Sequence, residues 1–235
     1  MGLINKVWKK RWILRALFPS LLFNFRHLSF HQACHLPVLL YKADLRNTSG
    51  KFKITVPVRF GMIRLGVESV SIFPNTGIMI ENRGTIVFNG KAYIGNNSAI
   101  SLGKTGILEF GDNFSATTGL KLACYHSISF DRNVLVGWNA QIVDTDFHAL
   151  KNVKSGGVKN KGYGPVRIGH DVWIANGCKI YKNVSIPDSC VVGADTILHK
   201  AVECPPNSVI TNKIETSIRT TGIFHDRNDD RIEYK

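Results

Sequence analysis

The chain has 235 residues, enough for one long hydrophobic core, and no shift in composition marks a second globular domain. Its net charge is +13, from 30 Lys and Arg against 17 Asp and Glu, but no helix-turn-helix, zinc or RNA-binding signature accompanies the charge, which argues against a nucleic-acid ligand. The five cysteines are odd in number and form no CxxC pair, so neither a disulfide framework nor a zinc site is indicated, and this usage fits a reducing cytoplasm.

Residues 1–50 are predicted to form a basic amphipathic N-terminal segment. Within it, residues 1–18 mix lysine and arginine with large apolar side chains, which predicts an amphipathic helix. Such a helix can lie on an anionic membrane surface, or it can cover the exposed end of the domain that follows, and both interpretations are kept. The apolar stretch 16–25 is short and contains Pro19, so it is not predicted to cross a membrane.

From residue 51 to residue 204, apolar residues recur every six positions, a period that neither a helix nor a flat strand keeps. The strictest ladder is Ile168, Ile174, Ile180, Ile186, Val192 and Leu198. A second ladder lies two positions ahead: Val166, Val172, Cys178, Val184, Cys190, Thr196 and Val202. Interrupted runs continue the pattern upstream, and Ile54 and Phe60 are its predicted start. A period of six is typical of a hexapeptide β-helix, for which this length predicts roughly eight coils of about 18 residues.

The repeat breaks between Ile142 and Ile168, which are not separated by whole hexads, and this predicts a projecting loop at about residues 144–165. The loop opens with Asp144, Asp146 and His148 and continues into a stretch rich in glycine and lysine. Because imidazole titrates near neutral pH, His148 is the candidate general base, and either aspartate could orient its ring. Asn139, one strand upstream, could reach the same corner. These three loop side chains could alternatively bind a metal, but no further histidines fall at suitable positions, so no metal is expected.

In four segments the sequence resembles the hexapeptide-repeat (left-handed β-helix) acyltransferase superfamily, and most of all its sugar and capsular polysaccharide O-acetyltransferases. The segments are residues 137–139 (GWN), 144–148 (DTDFH), 172–176 (VWIAN) and 192–194 (VGA), with Lys200 following the last. The resemblance implies an all-β, left-handed parallel β-helix that assembles as a homotrimer and uses acetyl-coenzyme A as co-substrate. It also implies that residues 51–204 form the acyltransferase domain and residues 205–235 a C-terminal tail.

The same resemblance implies roles for individual residues. His148 would be the catalytic base, with Asp146 and Asn139 in the catalytic set, and Asp144 and Trp138 would contact the acceptor. The implied coenzyme contacts are Trp173, Ala175, Asn176, Gly193, Ala194 and Lys200. Lys200 suits this role because a lysine acts as a point charge for phosphate. For Trp173, a packed corner aromatic is an equal alternative.

These observations predict transfer of an acetyl group to a sugar hydroxyl of a surface or capsular glycan or its precursor. The expected location is the cytoplasm, with residues 1–18 as a peripheral contact to the inner face of the cell membrane. Two alternatives stay open. One is N-acyl transfer to a nucleotide-linked amino sugar, and the other is a non-catalytic or metal-binding β-helix.

Overall fold

The computed structural model describes residues 11–148 and 161–212. Two helices, α1 (Arg11–His27) and α2 (Phe30–Ala33), precede a stack of short strands. Three predicted features fall partly outside the described residues: residues 1–10 of the amphipathic segment, residues 149–160 of the projecting loop and residues 213–235 of the tail.

The strands follow one another in coils of three. Coils 1 to 4 contain β1 (Val38–Leu40), β2 (Ala43–Asn47), β3 (Lys51–Ile54), β4 (Ile63–Val67), β5 (Ile78–Asn82), β6 (Thr85–Phe88), β7 (Ala92–Gly95), β8 (Ser98–Leu102), β9 (Ile107–Phe110), β10 (Phe114–Ala116), β11 (Lys121–Cys124) and β12 (Ser127–Phe130). Coils 5 to 7 and the last strand contain β13 (Leu135–Val136), β14 (Gln141–Val143), β15 (Val166–Ile168), β16 (Trp173–Ile174), β17 (Lys179–Ile180), β18 (Ser185–Ile186), β19 (Val191–Val192), β20 (Ile197–Leu198) and β21 (Val209–Ile210).

Each strand pairs with the strand at the same position in the next coil, which gives three sheets. We call them face A (β1-β4-β7-β10-β13-β16-β19-β21), face B (β2-β5-β8-β11-β14-β17-β20) and face C (β3-β6-β9-β12-β15-β18). Neighbouring strands are parallel in all three faces: β13 pairs with β16, β14 with β17 and β15 with β18. The left-handed parallel β-helix of hexapeptide repeats predicted from the sequence is confirmed.

The predicted ladders line the inside of the coils. All six residues of the strict ladder are buried, as are all members of the second ladder except the partly buried Val202. Because side chains alternate between the two sides of a strand, every second residue reaches the core. The prediction that Phe60 belongs to the start of the ladder is wrong. Its side chain is 56% exposed, because it lies in the turn between β3 and β4, just before the left-handed Gly61.

The coils begin and end outside the predicted boundaries. The first coil starts with β1 at Val38, upstream of residue 51, and β21 lies beyond residue 204. The stack therefore has six complete coils, a seventh with two strands, and the single strand β21. The structure also shows an excursion that the sequence did not predict, at residues 68–77 between β4 and β5.

Helix α1 covers the N-terminal end of the stack, as the capping interpretation predicts. Ala16 and Phe23 are buried, and the Phe23 ring packs edge-on against Phe52 of β3 at a centroid distance of 4.8 Å. The Asn24 side chain binds Val38 of β1 through both its backbone groups, donating to the carbonyl at 2.8 Å and accepting from the amide at 3.2 Å. Within the described part of the chain, no helix has the length and apolar character needed to span a membrane.

Candidate active site

The base of the projecting loop is held closed by backbone contacts. The strand β14 ends at Val143, the chain leaves the stack, and it returns at β15. Thr145 and Tyr163 form an antiparallel bridge. The Asp146 amide donates to the Gly162 carbonyl at 2.7 Å, and the Gly164 amide donates to the Asp144 carbonyl at 3.0 Å. These contacts hold residues 144–146 at the corner between faces B and C, which we call the BC corner.

Asp144 is fully buried, and its carboxylate is engaged by the preceding coil. One oxygen accepts from the Tyr125 amide and the other from the His126 amide, both at 2.8 Å. Burial, with Asp144 adding negative charge, raises the pKa of the Cys124 thiol. A side chain without exposed surface and with two amide donors has little capacity left for an acceptor or for His148. The geometry therefore favours a structural role for Asp144 over the predicted substrate contact.

Asp146 forms an ion pair with Lys182, which lies at the BC corner of the next coil. Among the described residues, no hydrogen bond joins its carboxylate to His148. The arrangement thus differs from the predicted Asp–His pair, and a catalytic role for Asp146 stays a prediction. Lys182 was not among the site residues predicted from the sequence. A signal existed, however, because Lys182 lies one regular coil before Lys200.

His148 is exposed at the base of the loop. Its carbonyl lies opposite Gly162, where an added Cβ would come within 3.8 Å of the His148 oxygen and 3.9 Å of Asp146 Oδ2. The preceding residue, Phe147, has a left-handed φ of 59°, a costly conformation for a bulky side chain that is held here by the clamped loop.

Aromatic side chains surround this corner. The Phe147 ring packs edge-on against Tyr125 at 5.1 Å, and the His126 ring lies 5.0 Å from Tyr163. Phe147, Tyr125 and Tyr163 all keep more than a third of their surface exposed. The sequence could not single them out, because they come from two coils and both ends of the loop.

A second group of predicted residues lies at the corner between faces A and B, the AB corner. Trp138 and Asn139 belong to coil 5, Ala175 and Asn176 to coil 6, and Gly193 and Ala194 to coil 7. The corners stack directly: the Gly177 amide donates to the Trp138 carbonyl and the Asp195 amide to the Asn176 carbonyl, both at 2.9 Å. These six predicted residues therefore lie together.

Turn geometry accounts for Asn139 without invoking catalysis. Its φ is 57°, and the equivalent corner residues Asn97, Gly119, Gly177 and Asp195 share this left-handed conformation. Asparagine, aspartate and glycine are the residues that tolerate it best. The predicted role of Asn139 stays a prediction, because the corner would select this residue type in any case.

Trp173 and Lys200 lie apart from the AB corner. Trp173 is half exposed on the outer side of face A, where it pairs with Leu135 and Val191 in neighbouring strands. Lys200 is exposed at the BC corner of coil 7 and lines a cavity of about 560 Å³ together with His199, Glu203 and Asn212. Of the predicted coenzyme contacts, only Lys200 thus lies on the same edge as His148.

The width of face B separates the two groups within one chain. Asn139 precedes β14 and Asp144 follows it, and five residues of extended chain span about 16 Å. The described residues contain no group of three or more His, Cys, Asp or Glu that could hold a metal ion.

No family model matches the chain. It is 27% identical over 136 residues to the galactoside O-acetyltransferase of Escherichia coli (strain K12), an alignment that covers 55% of this chain and 64% of that protein. This similarity accompanies a continuous β-helix of six-residue repeats with buried ladders. In its six-residue repeat, its stacked coils and this similarity, the chain resembles the hexapeptide-repeat acyltransferases. The chain spans just under two thirds of the length of this relative.

Two solved structures are also similar to the chain. An acetyl-coenzyme A complex of a hexapeptide-repeat-containing acetyltransferase from Vibrio cholerae O1 biovar eltor is 15% identical, with a TM-score of 0.33, and the match covers 86% of this chain and 83% of that one. The polySia-specific acetyltransferase NeuO is 12% identical, with a TM-score of 0.37, and the match covers 75% of this chain and 92% of NeuO.

Proposed function

We propose that the protein transfers an acetyl group from acetyl-coenzyme A to a sugar hydroxyl of a surface or capsular glycan or its precursor. The observation that supports this most is the position of His148, which is exposed at the base of the loop between β14 and β15 and directly follows Phe147, whose ring packs against Tyr125. The similarity to a galactoside O-acetyltransferase supports the same reaction class.

In the proposed reaction, the acceptor hydroxyl oxygen attacks the thioester carbonyl carbon while its proton passes to the His148 imidazole. The tetrahedral intermediate then collapses and the carbon–sulfur bond breaks. The departing sulfur receives the proton, so the products are an acetyl ester and free coenzyme A. A positioned base contributes about 10²- to 10⁴-fold to such a rate.

The surroundings of His148 fit the two substrates. The exposed rings of Tyr125, Phe147 and Tyr163 offer apolar surface for the C–H face of a sugar ring and, through the tyrosines, hydroxyl groups for hydrogen bonds. Lys182 and Lys200 follow on the same edge in the next two coils, and their ammonium groups suit the phosphates of the coenzyme.

The protein is proposed to act as a homotrimer. One chain keeps the AB-corner residues and the BC-corner residues on opposite edges of face B, so a site that uses both groups needs a neighbouring copy. The exposed Leu135 and Trp173 on face A offer apolar surface for such a contact. The proposed location is the cytoplasmic side of the cell membrane, where a lipid-linked glycan precursor would be available.

The test is coenzyme A release from acetyl-coenzyme A with a panel of sugars and glycan fragments. Wild type is compared with His148→Ala and with His31→Ala, a matched variant at another exposed histidine. We expect acceptor-dependent release that falls about 10²- to 10⁴-fold in His148→Ala and is unchanged in His31→Ala. Equal activity of the two variants would reject His148 as the base.

A shared site can be tested by complementation. His148→Ala and Asn139→Ala chains, each with low activity alone, are co-expressed so that mixed oligomers form. If one site draws His148 and Asn139 from different chains, activity returns in the mixture. If every site is built within one chain, the mixture stays as inactive as its parts.

A further inference from the structure

Helix α1 carries two apolar faces. Its inner face, with Ala16 and Phe23, is buried against coil 1. Its opposite side exposes large apolar side chains that are between 43% and 77% accessible and continue into α2. We call this surface the outer face; it consists of Leu14, Phe18, Leu21, Leu22, Phe25 and Phe30. At about 100° per residue, its α1 members fall within an arc of about 100°, so the surface is contiguous rather than scattered.

The helix cannot roll to bury this surface. Ser20, fully buried, donates to the Ala16 carbonyl at 2.5 Å and accepts from the Leu40 amide at 2.8 Å. Asn24, also fully buried, binds both backbone groups of Val38. Rolling would leave these polar groups buried without partners, at a cost of about 1–3 kcal/mol for each. The outer face of α1 is therefore held on the side turned away from coil 1.

The part of the sequence that contains α1 carries charge of one sign. The first 43 residues contain no aspartate or glutamate, and they contain seven of the basic residues: Lys6, Lys9, Lys10, Arg11, Arg15, Arg26 and Lys42. On α1, Arg15 and Arg26 fall beside the apolar arc on the same flank. A second copy of this surface would bring like charges together, whereas an anionic bilayer offers apolar chains for the outer face and phosphates for the arginines.

We propose that the outer face of α1, with Phe30 of α2, docks on an anionic lipid surface, with the helix lying in the plane of the interface. The contact surface thus centres on residues 14–30 rather than on the predicted residues 1–18. The β-helix then projects from the membrane by its N-terminal end. His148 in coil 5 lies four coils from this end, about 20 Å along the stack at 4.7–4.9 Å per coil. If the proposed function holds, a membrane-anchored oligosaccharide can reach the catalytic base at that height.

The experiment is sedimentation of the purified full-length chain with phosphatidylcholine vesicles, with and without phosphatidylglycerol. Wild type is compared with Phe18→Gln and with Ile72→Gln, a matched control on the 68–77 excursion with nearly the same exposure, 74% against 71%. We expect binding to the anionic vesicles only, weakened by added salt. Phe18→Gln should lower the binding constant about tenfold, and Ile72→Gln should leave it within about twofold.

Melting temperatures of the two variants should match wild type, since both side chains are exposed, and this separates loss of binding from loss of fold. Equal binding by Phe18→Gln and wild type would overturn the proposal, because the basic residues alone would then suffice. Failure of wild type to bind anionic vesicles would also overturn the proposal. If light scattering then shows a larger assembly that Phe18→Gln dissociates, the outer face is an interface between copies of the chain. No acceptor or coenzyme is present, so the outcome does not depend on acyl transfer.

Discussion

The first four coils and the last three are built differently. In coils 2 to 4 the strands are three to five residues long, whereas coils 6 and 7 have strands of two residues. The early interior contains a column of phenylalanines: Phe88, Phe110 and Phe130 stack with ring centroids 5.2 and 5.6 Å apart. The late interior contains small residues such as Cys178, Val184 and Cys190.

The coils with the most regular sequence are therefore not the coils with the largest buried side chains. In the late coils, Trp173 pairs with Val191 and Val191 with Val209, so the coil length stays at three hexads and the ladder is plain in the sequence. The early coils vary in length, and larger side chains fill their interior. The projecting loop leaves the stack in coil 5, where the two kinds of coil meet. Its two ends are held by β14 and β15, which both pair with strands of the neighbouring coils.

The largest effect is expected for the aromatic column. Phe110→Ala removes a fully buried ring that contacts Phe88, Phe114 and Phe130, and should lower the free energy of unfolding by about 4 kcal/mol. Cys190→Ala, in the late interior, removes a single sulfur and should cost about 1 kcal/mol. Chemical denaturation of both variants measures the contrast. Equal losses would show that the two halves are packed alike.

The next largest effect concerns the base of the loop. Asp144→Ala leaves the Tyr125 and His126 amides without their acceptor and should cost about 3 kcal/mol, since each is a hydrogen bond to a charged group. Asp146→Ala, two residues later and exposed, should cost less than about 1 kcal/mol. The comparison can be made by thermal unfolding. A small loss for Asp144→Ala would return that residue to the list of candidate substrate contacts.

A smaller effect is expected for the ion pair between coils 5 and 6. Lys182→Ala breaks the contact with Asp146 and should lower stability by less than about 1 kcal/mol, because both side chains are partly exposed. If Lys182 also contacts the coenzyme, the KM for acetyl-coenzyme A should rise several-fold while kcat changes little. Steady-state kinetics of Lys182→Ala and of Lys179→Ala, a control on face B, would show whether the rise in KM is specific to the lysine at the BC corner. An unchanged KM would leave Lys182 with a structural role alone.

The smallest effect lies at the N-terminal end and depends on pH. Burial, aided by Arg26, lowers the pKa of His27 below its ordinary value of 6.5, and its ring packs on Phe23 and Phe52. Below about pH 6.5 the His27 imidazole binds a proton more readily in the unfolded chain than in the folded chain. The free energy of unfolding should therefore fall as the pH drops below that value. Melting temperatures measured across this range should fall less in His27→Gln than in wild type. Parallel profiles would mean that another group carries the dependence.

Sequence patterning predicted the fold where apolar residues keep a fixed period. All six members of the strict ladder are buried. It included β3 of coil 1 but missed the two strands before it, because β2 (Ala43–Asn47) is mostly exposed and interrupts the apolar ladder. Phe60 was placed in the ladder because it lies six residues after Ile54, although the chain turns before reaching it. Period alone does not distinguish a strand from the corner that follows it.

The predicted site residues divide in the same way. The family resemblance, rather than spacing, selected the AB-corner residues of coils 5 to 7, which lie together because the repeat places equivalent corners above one another. The expectation that Asn139 reaches the corner of His148 within one chain is wrong, because the width of face B lies between them. Spacing along the chain could not separate Asp144 from Asp146, which are two residues apart but differ completely in burial and partners. Nor could it connect Asp146 with Lys182, because that contact joins two coils.

By itself, the sequence determined that this chain forms a hexapeptide β-helix, where the regular late coils lie and where the loop after β14 leaves the stack, because a six-residue period allows one way of burying its apolar ladder. Only the tertiary structure decided which loop carboxylate is buried, which lysine faces the other, and that α1 keeps a second apolar face in solvent. Those outcomes depend on contacts between residues far apart in the chain, which local periodicity does not encode.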